Sequence, residues 1–149
     1  MINDNLKLRG DVAIVLKDKN GNVKESRDIN NLVVTAGLTF ICARMAAASA
    51  DVMSHMALGS GTTAAAAGDT DLESILGSRE ALDSSTASSN TIAYVSSFEA
   101  GEGTGAVTEA GIFNAATSGT MLCHVIFPVV NKQADDTMSV TWTITLTAS

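Results

Sequence analysis

The chain is short of aromatic residues: one Trp, one Tyr and four Phe, 4% of 149 residues. Sugar-gripping surfaces rest on aromatic platforms, so glycan adhesion has little to work with. Positive charge is also scarce, with nine Lys and Arg against sixteen Asp and Glu and a formal net charge of −7. Such a chain repels phosphate backbones, and nucleic acid is not expected as a partner. Only two histidines and two cysteines are present, with no CxxC pair and no ligand quartet. Cys42 and Cys123 lie far apart in apolar contexts, and read as two buried thiols of a protein made in a reducing cytoplasm. No apolar run approaches the ~20 residues of a membrane span. The polar start around Asn3, Asp4 and Asn5 does not read as a secretory leader. A single proline, Pro128, and twelve glycines suit an ordered domain.

What the chain does have is alternation. Met138, Val140, Trp142, Ile144 and Leu146 alternate with Ser139, Thr141, Thr143, Thr145 and Thr147. Period two marks a half-buried strand, with Trp142 on the core side and the threonines outside. Val12–Leu16 and the return from Val23 towards Val34 flank Asn20-Gly21, a pair suited to a tight hairpin turn. The polar middle of that return, Lys24 to Asp28, suits an edge strand guarded against aggregation. Leu38, Ile41, Cys42 and Met45 recur at helical spacing behind Thr35, predicting a helix over 36–48 whose apolar stripe lies on the sheet. Further strands are expected at Met56–Leu58, weakly at Arg79–Leu82, at Ile92–Phe98, Val107–Ala115 and Met121–Phe127. A short helical turn is expected at Asp69–Leu76 and a polar loop at Ser84–Asn90. The fold class is therefore mainly β: a two-sheet antiparallel sandwich or jelly roll of about eight strands with one helix packed on it. Residues 1–10 read as an N-terminal arm and 11–149 as one β-sandwich domain.

The residues that could carry chemistry do not assemble into a recognisable constellation. His55 and His124 each sit in an expected strand, where a lone His is more often packed than basic. Gly59-Ser60-Gly61 reads as a bend, and Gly101 to Gly105 as a hairpin loop with no following helix to cradle a phosphate. Asp69, Asp71 and Glu73 alternate, but helix capping accounts for the aspartates; Asp135-Asp136 reads as a solvated turn. No catalytic residue, cofactor or metal site is expected. The threonine row lacks the neighbouring ranks an ice-binding face needs, and is expected either to be wet or to press on a neighbour.

Three segments in order carry a resemblance: Asn31-Leu32-Val33-Val34-Thr35-Ala36-Gly37-Leu38; Met56 to Thr63 with Asp69-Thr70-Asp71-Leu72; and Thr108 to Asn114 running on to Trp142-Thr143-Ile144. Together they resemble a family of tailed-bacteriophage virion proteins, small jelly-roll modules found as capsid cement or decoration proteins and within tail-fibre-like chains. The resemblance implies a non-enzymatic structural protein on the capsid surface, a homotrimer whose partners are itself and the major capsid protein. A tail-fibre module contacting the host surface is the alternative, disfavoured by a length that leaves no room for a shaft. Early positive charge suits Leu6, Lys7, Leu8 and Arg9 to a capsid-docking arm, although charges flanking a hairpin are more often simply solvated; the polar row Thr141, Thr143 and Thr145 is the candidate subunit-interface face.

Overall fold

The computed structural model describes residues 5–46 and 50–148. The chain opens on a long hairpin, β1 (Leu6–Lys17) and β2 (Val23–Val33). Its turn is built as the sequence indicates. Gly21 takes φ +84°, and Asp18 Oδ1 accepts the backbone N–H groups of Asn20 (2.9 Å) and Asn22 (3.0 Å). Those donors, Asn22 foremost, hold the Asp18 carboxyl below its usual range.

Helix α1 (Thr35–Ala46) follows. Its first bond runs from Leu38 N–H to the Val34 carbonyl, so Thr35 lies within the first turn instead of capping it. The expected apolar stripe is met only in part: Ile41 packs on the core, joined there by Phe40, while Leu38, Cys42 and Met45 are exposed. Gly37 sets the rotation of the helix. It is buried against the neighbouring strand, where a Cβ would stand 2.3 Å from the Leu122 carbonyl oxygen. Positions 37, 40 and 41 share one helix face, so docking Gly37 turns 38, 42 and 45 outward. Gly37→Ala is expected to lower the denaturation midpoint. Alanine gains about 1 kcal/mol of helix propensity, but overpacking against backbone costs about 1–3 kcal/mol. An unchanged midpoint would mean that the helix can slide off the sheet.

The remaining strands are β3 (His55–Gly59), β4 (Glu80–Ala81), β5 (Ser84–Ser88), β6 (Thr91–Phe98), β7 (Gly105–Phe113), β8 (Met121–Lys132) and β9 (Thr137–Ala148). They form one antiparallel sheet in the order β4-β3-β7-β8-β2-β1-β9-β6-β5. Two features bend it into a curled half-barrel. β2 and β8 pair only through Leu32 with His124 and Val33 with Cys123. The terminal strands β4 and β5 are consecutive in the chain, joined by Leu82 and Asp83. Leu82 N–H donates to Ser54 O and Asp83 N–H to Val95 O, so one short link ties the two ends of the sheet together. Inside the curl, Val12, Ile14 and Leu16 of β1, Tyr94 and Phe98 of β6, and Met138, Val140, Trp142 and Ile144 of β9 meet Val107, Ile112, Val125 and Phe127 in one core. A smaller cluster of Val34, Ala57, Phe113 and Met121 lies apart from it. β8 is nearly continuously buried from Met121 to Phe127, as expected of a run apolar on both faces.

Several expectations need correction. Leu6, Lys7, Leu8 and Arg9 are rungs of β1, paired in order with Ala148, Thr147, Leu146 and Thr145 of β9. Extended they are, but their backbone groups complete the sheet; the rest of the expected arm, Met1–Asp4, lies outside the described residues. Ser84–Ser88 is a strand. Its lack of apolar alternation reflects an edge position with all five residues exposed. The helical turn expected near Asp69–Leu76 is irregular chain with a single bridge, Ile75 to Gly59. Cys42 is exposed, whereas Cys123 is buried, and burial pushes its thiol up to about 12. Helix residues 47 and 48 lie outside the described residues. β2 is an edge over most of its length: among the described residues its β8 side is unpaired from Val23 to Asn31.

Candidate functional site around His124

Glu109 and His124 lie on adjacent strands, Glu109 opposite Ile126 and His124 opposite Gly111. That offset places them diagonally on one face. The same face is crossed by the irregular segment 60–76, and the two side chains fasten it down. Glu109 is fully buried. Its Oε1 accepts the backbone N–H groups of Gly61 (3.0 Å) and Ser74 (2.8 Å), and its Oε2 accepts that of Glu73 (3.1 Å). The fourth contact is His124 Nε2, 2.9 Å from Oε2. Gly59 and Gly61 leave room for this carboxylate, since a Cβ on either would come within 2.6 Å of Oε1. The bend read in the sequence is therefore a carboxylate cradle.

His124 is 3% exposed, and its other nitrogen, Nδ1, lies 2.7 Å from Asp69 Oδ2. Carboxylate oxygens face both ring nitrogens, so the imidazole is held between Glu109 and Asp69 with a polar contact on each side. Asp69 also accepts Ala66 N–H at 2.8 Å. That donor first, and His124 second, hold the Asp69 carboxyl below the usual range. Glu73 accepts Thr63 and Thr62 N–H (2.9 and 3.1 Å) and is lowered for the same reason.

The three alternating acids thus have separate duties. Asp69 takes His124 and Glu73 ties Thr62 and Thr63, while Asp71 accepts Leu72 N–H and faces Arg79 Nη2 at 3.3 Å. Arg79 lies 3.5 Å over the Phe113 ring and donates to the carbonyls of Ala115 and Ser118. Among the described residues no group of three or more His, Cys, Asp or Glu is placed to hold a metal ion. Shallow depressions of about 480 Å³ and 260 Å³ border His124 on either side of Thr62–Ala65. Since both ring nitrogens of His124 are engaged, its chemistry here is to latch a loop.

A second buried charge group lies where the β1–β2, β6–β7 and β8–β9 connections meet. Lys132, 1% exposed, donates to the Glu99 carbonyl at 2.9 Å. Asp136 takes Lys24 Nζ at 2.7 Å and Gln133 N–H at 2.8 Å. Burial lowers Lys132; the Lys24 contact, then Gln133, lowers Asp136. Asp136 is only 3% exposed whereas Asp135 is exposed, so the expected solvated turn is there but one of its two acids is buried. His55 meets Ser54 Oγ at 2.8 Å on β3 and does not join either group.

The residues chosen for docking and interface form a surface of their own. Thr141, Thr143 and Thr145 are half-buried on the outside of β9, between Ala13, Asp11 and Arg9 of β1 and Val95, Ala93 and Thr91 of β6. Lys7 and Arg9 are exposed beside them, and Leu8 packs inward on the core. The expected arm and the expected threonine face are thus neighbours. No local pattern marks Glu109 or the role of His124; the one signal in the sequence is Glu109 itself, a lone acid amid the strand residues Thr108 to Asn114. Comparison with protein-family models, with curated proteins and with solved structures returns no match.

Proposed function

We propose that the chain is a non-enzymatic structural protein of a tailed-bacteriophage virion, a capsid cement or decoration protein that stabilises the assembled shell as a homo-oligomer. In this reading the curled sheet is a jelly-roll-like pair of layers, β2-β1-β9-β6-β5 facing β4-β3-β7-β8. The observation that carries the proposal is the outside of the first layer. Ala13, Ala93, Val95 and the threonine row make a small-residue surface with Asp11 set within it and Lys7 and Arg9 at its margin. Short side chains let another protein surface approach such a face closely. The buried polar groups support the same reading, because the His124 bridge and the Lys132–Asp136 group are spent on holding loops. A protein that binds only the assembled shell stabilises it by mass action. The sequence resemblance supplies the virion context, the trimeric state and the major capsid protein as partner.

Occupancy on purified particles tests this. Deleting Met1–Arg9 would remove four rungs of β1 and confuse binding with folding. Reversing Lys7 and Arg9 to Glu is cleaner. Arg9 loses only an exposed ion pair with Asp11, worth little to stability. The doubly reversed protein is expected to melt like the parent yet bind capsids about tenfold more weakly. Unchanged binding would remove these residues from the contact. Copy number comparable to that of the major capsid protein supports cement, and a far smaller number supports a tail component.

A further inference from the structure

Backbone groups on an unpaired sheet edge are a template for another strand, and proteins guard such edges with charge, proline, bulges or brevity. This molecule guards all but one of its edges among the described residues. The open side of β2 carries Lys24, Glu25, Arg27 and Asp28, and β8, across that opening, carries Pro128. β4 is two residues long. β5 is different: Ser84-Ser85-Thr86-Ala87-Ser88 has no charge, no proline and no bulge in its pairing with β6, and all five residues are exposed.

We infer that β5 pairs with β5 of a second copy of this chain, antiparallel about a two-fold axis at Thr86. Centred there, all five residues pair, Ser84 opposite Ser88, Ser85 opposite Ala87 and Thr86 opposite itself. The chemistry favours a second copy over a foreign strand. The segment is uncharged and nearly symmetric in side-chain size, so it meets itself without like-charge repulsion and offers no charge to select another partner. The nearest acid, Asp83, falls opposite Ser89, which leaves the two Asp83 carboxylates at opposite ends of the ladder. Ser84, Thr86 and Ser88 share the outer face with Val95, Ala93 and Thr91, and through them with Thr141, Thr143 and Thr145. Pairing therefore extends the same outer face across both copies.

Five residues bury far less than the roughly 1,600 Å² of a standard interface. The contact is weak in free solution and is reinforced where copies are held close, as on a shell lattice. A two-fold contact cannot close the trimer that the resemblance implies, so this pairing is a second self-contact of the chain, and its test needs no capsid, so the two can fail separately. Sedimentation velocity at about 100 µM, well above the micromolar range, is expected to show a two-fold assembly. Thr86→Lys and Thr86→Glu each place like charges on the axis and are expected to halve the assembled mass. An equimolar mixture of the two is expected to restore it, which also shows that both variants fold. A wild-type chain that stays monomeric, a Thr86→Lys mass equal to wild type, or a mixture that fails to reassemble would each overturn the pairing.

Discussion

Glu109→Gln is expected to lower unfolding stability by about 2–6 kcal/mol, the cost of setting two buried donors against a third. The substitution keeps the shape, so the loss reports chemistry. A glutamine has one acceptor oxygen and one donor nitrogen where Glu109 has two acceptors. The nitrogen must face either Gly61 and Ser74 N–H or Glu73 N–H and His124, and donors then confront donors at about 1–3 kcal/mol each. His124→Leu removes the ring but leaves Glu109 with its three backbone donors and returns the half-exposed Asp69 to water. Its expected cost is smaller, about 2–3 kcal/mol, near the value of a charge-assisted hydrogen bond. Urea denaturation of the single and double variants measures the coupling. Additive losses would mean that the two side chains act independently, and the latch would be wrong.

Acid should open the same segment. Asp69 and Glu73 both have their carboxyl pKa lowered in the folded state. Each therefore contributes stability that is present above its unfolded value and is lost as pH falls through the folded one. Both are partly solvated, so each contribution is modest. Amide exchange in residues 61–76 is expected to rise below pH ~4 before the β1–β9 ladder loosens.

How much of this was legible in the sequence depends on the range of the interaction. The β1–β2 turn and β9 could be read because Asn20-Gly21 and the alternation from Met138 to Leu146 are local signals. The helix was found but rotated, because Gly37 meets Leu122 across the fold, and an apolar spacing count scores glycine as empty. β5 was missed because an edge strand exposed on both faces has no alternation to show. The His124 bridge joins residues 15 and 55 positions away, and no periodicity links them. A buried acid such as Glu109 inside a strand pattern is nevertheless a signal, since an unpaired charge there would be prohibitive. The single curled sheet was not foreseen because β2 and β8 are joined by only two residue pairs, Leu32 with His124 and Val33 with Cys123, and no local pattern spans that separation.

Trp142→Ala is expected to be comparably damaging, about 3–5 kcal/mol, through the cavity it leaves. Trp142 is fully buried, on a central strand, with Val12 opposite on β1 and Tyr94 opposite on β6. Burial there is deep enough to push the Tyr94 hydroxyl up to about 12. The indole has one defect: among the described residues its Nε1–H has no hydrogen-bond partner. An unsatisfied buried donor costs about 1–3 kcal/mol, so Trp142 stabilises the core less than its size would suggest. Trp142→Phe removes that defect while keeping one ring, and the relief offsets much of the lost volume. Its expected net cost is therefore about 1 kcal/mol or less. Equilibrium denaturation separates the two variants, and acrylamide should barely quench the native indole. Equal losses for Ala and Phe would mean that the whole indole is needed, with its N–H partnered. Strong quenching would place Trp142 at the surface and invalidate the core described for β1, β6 and β9.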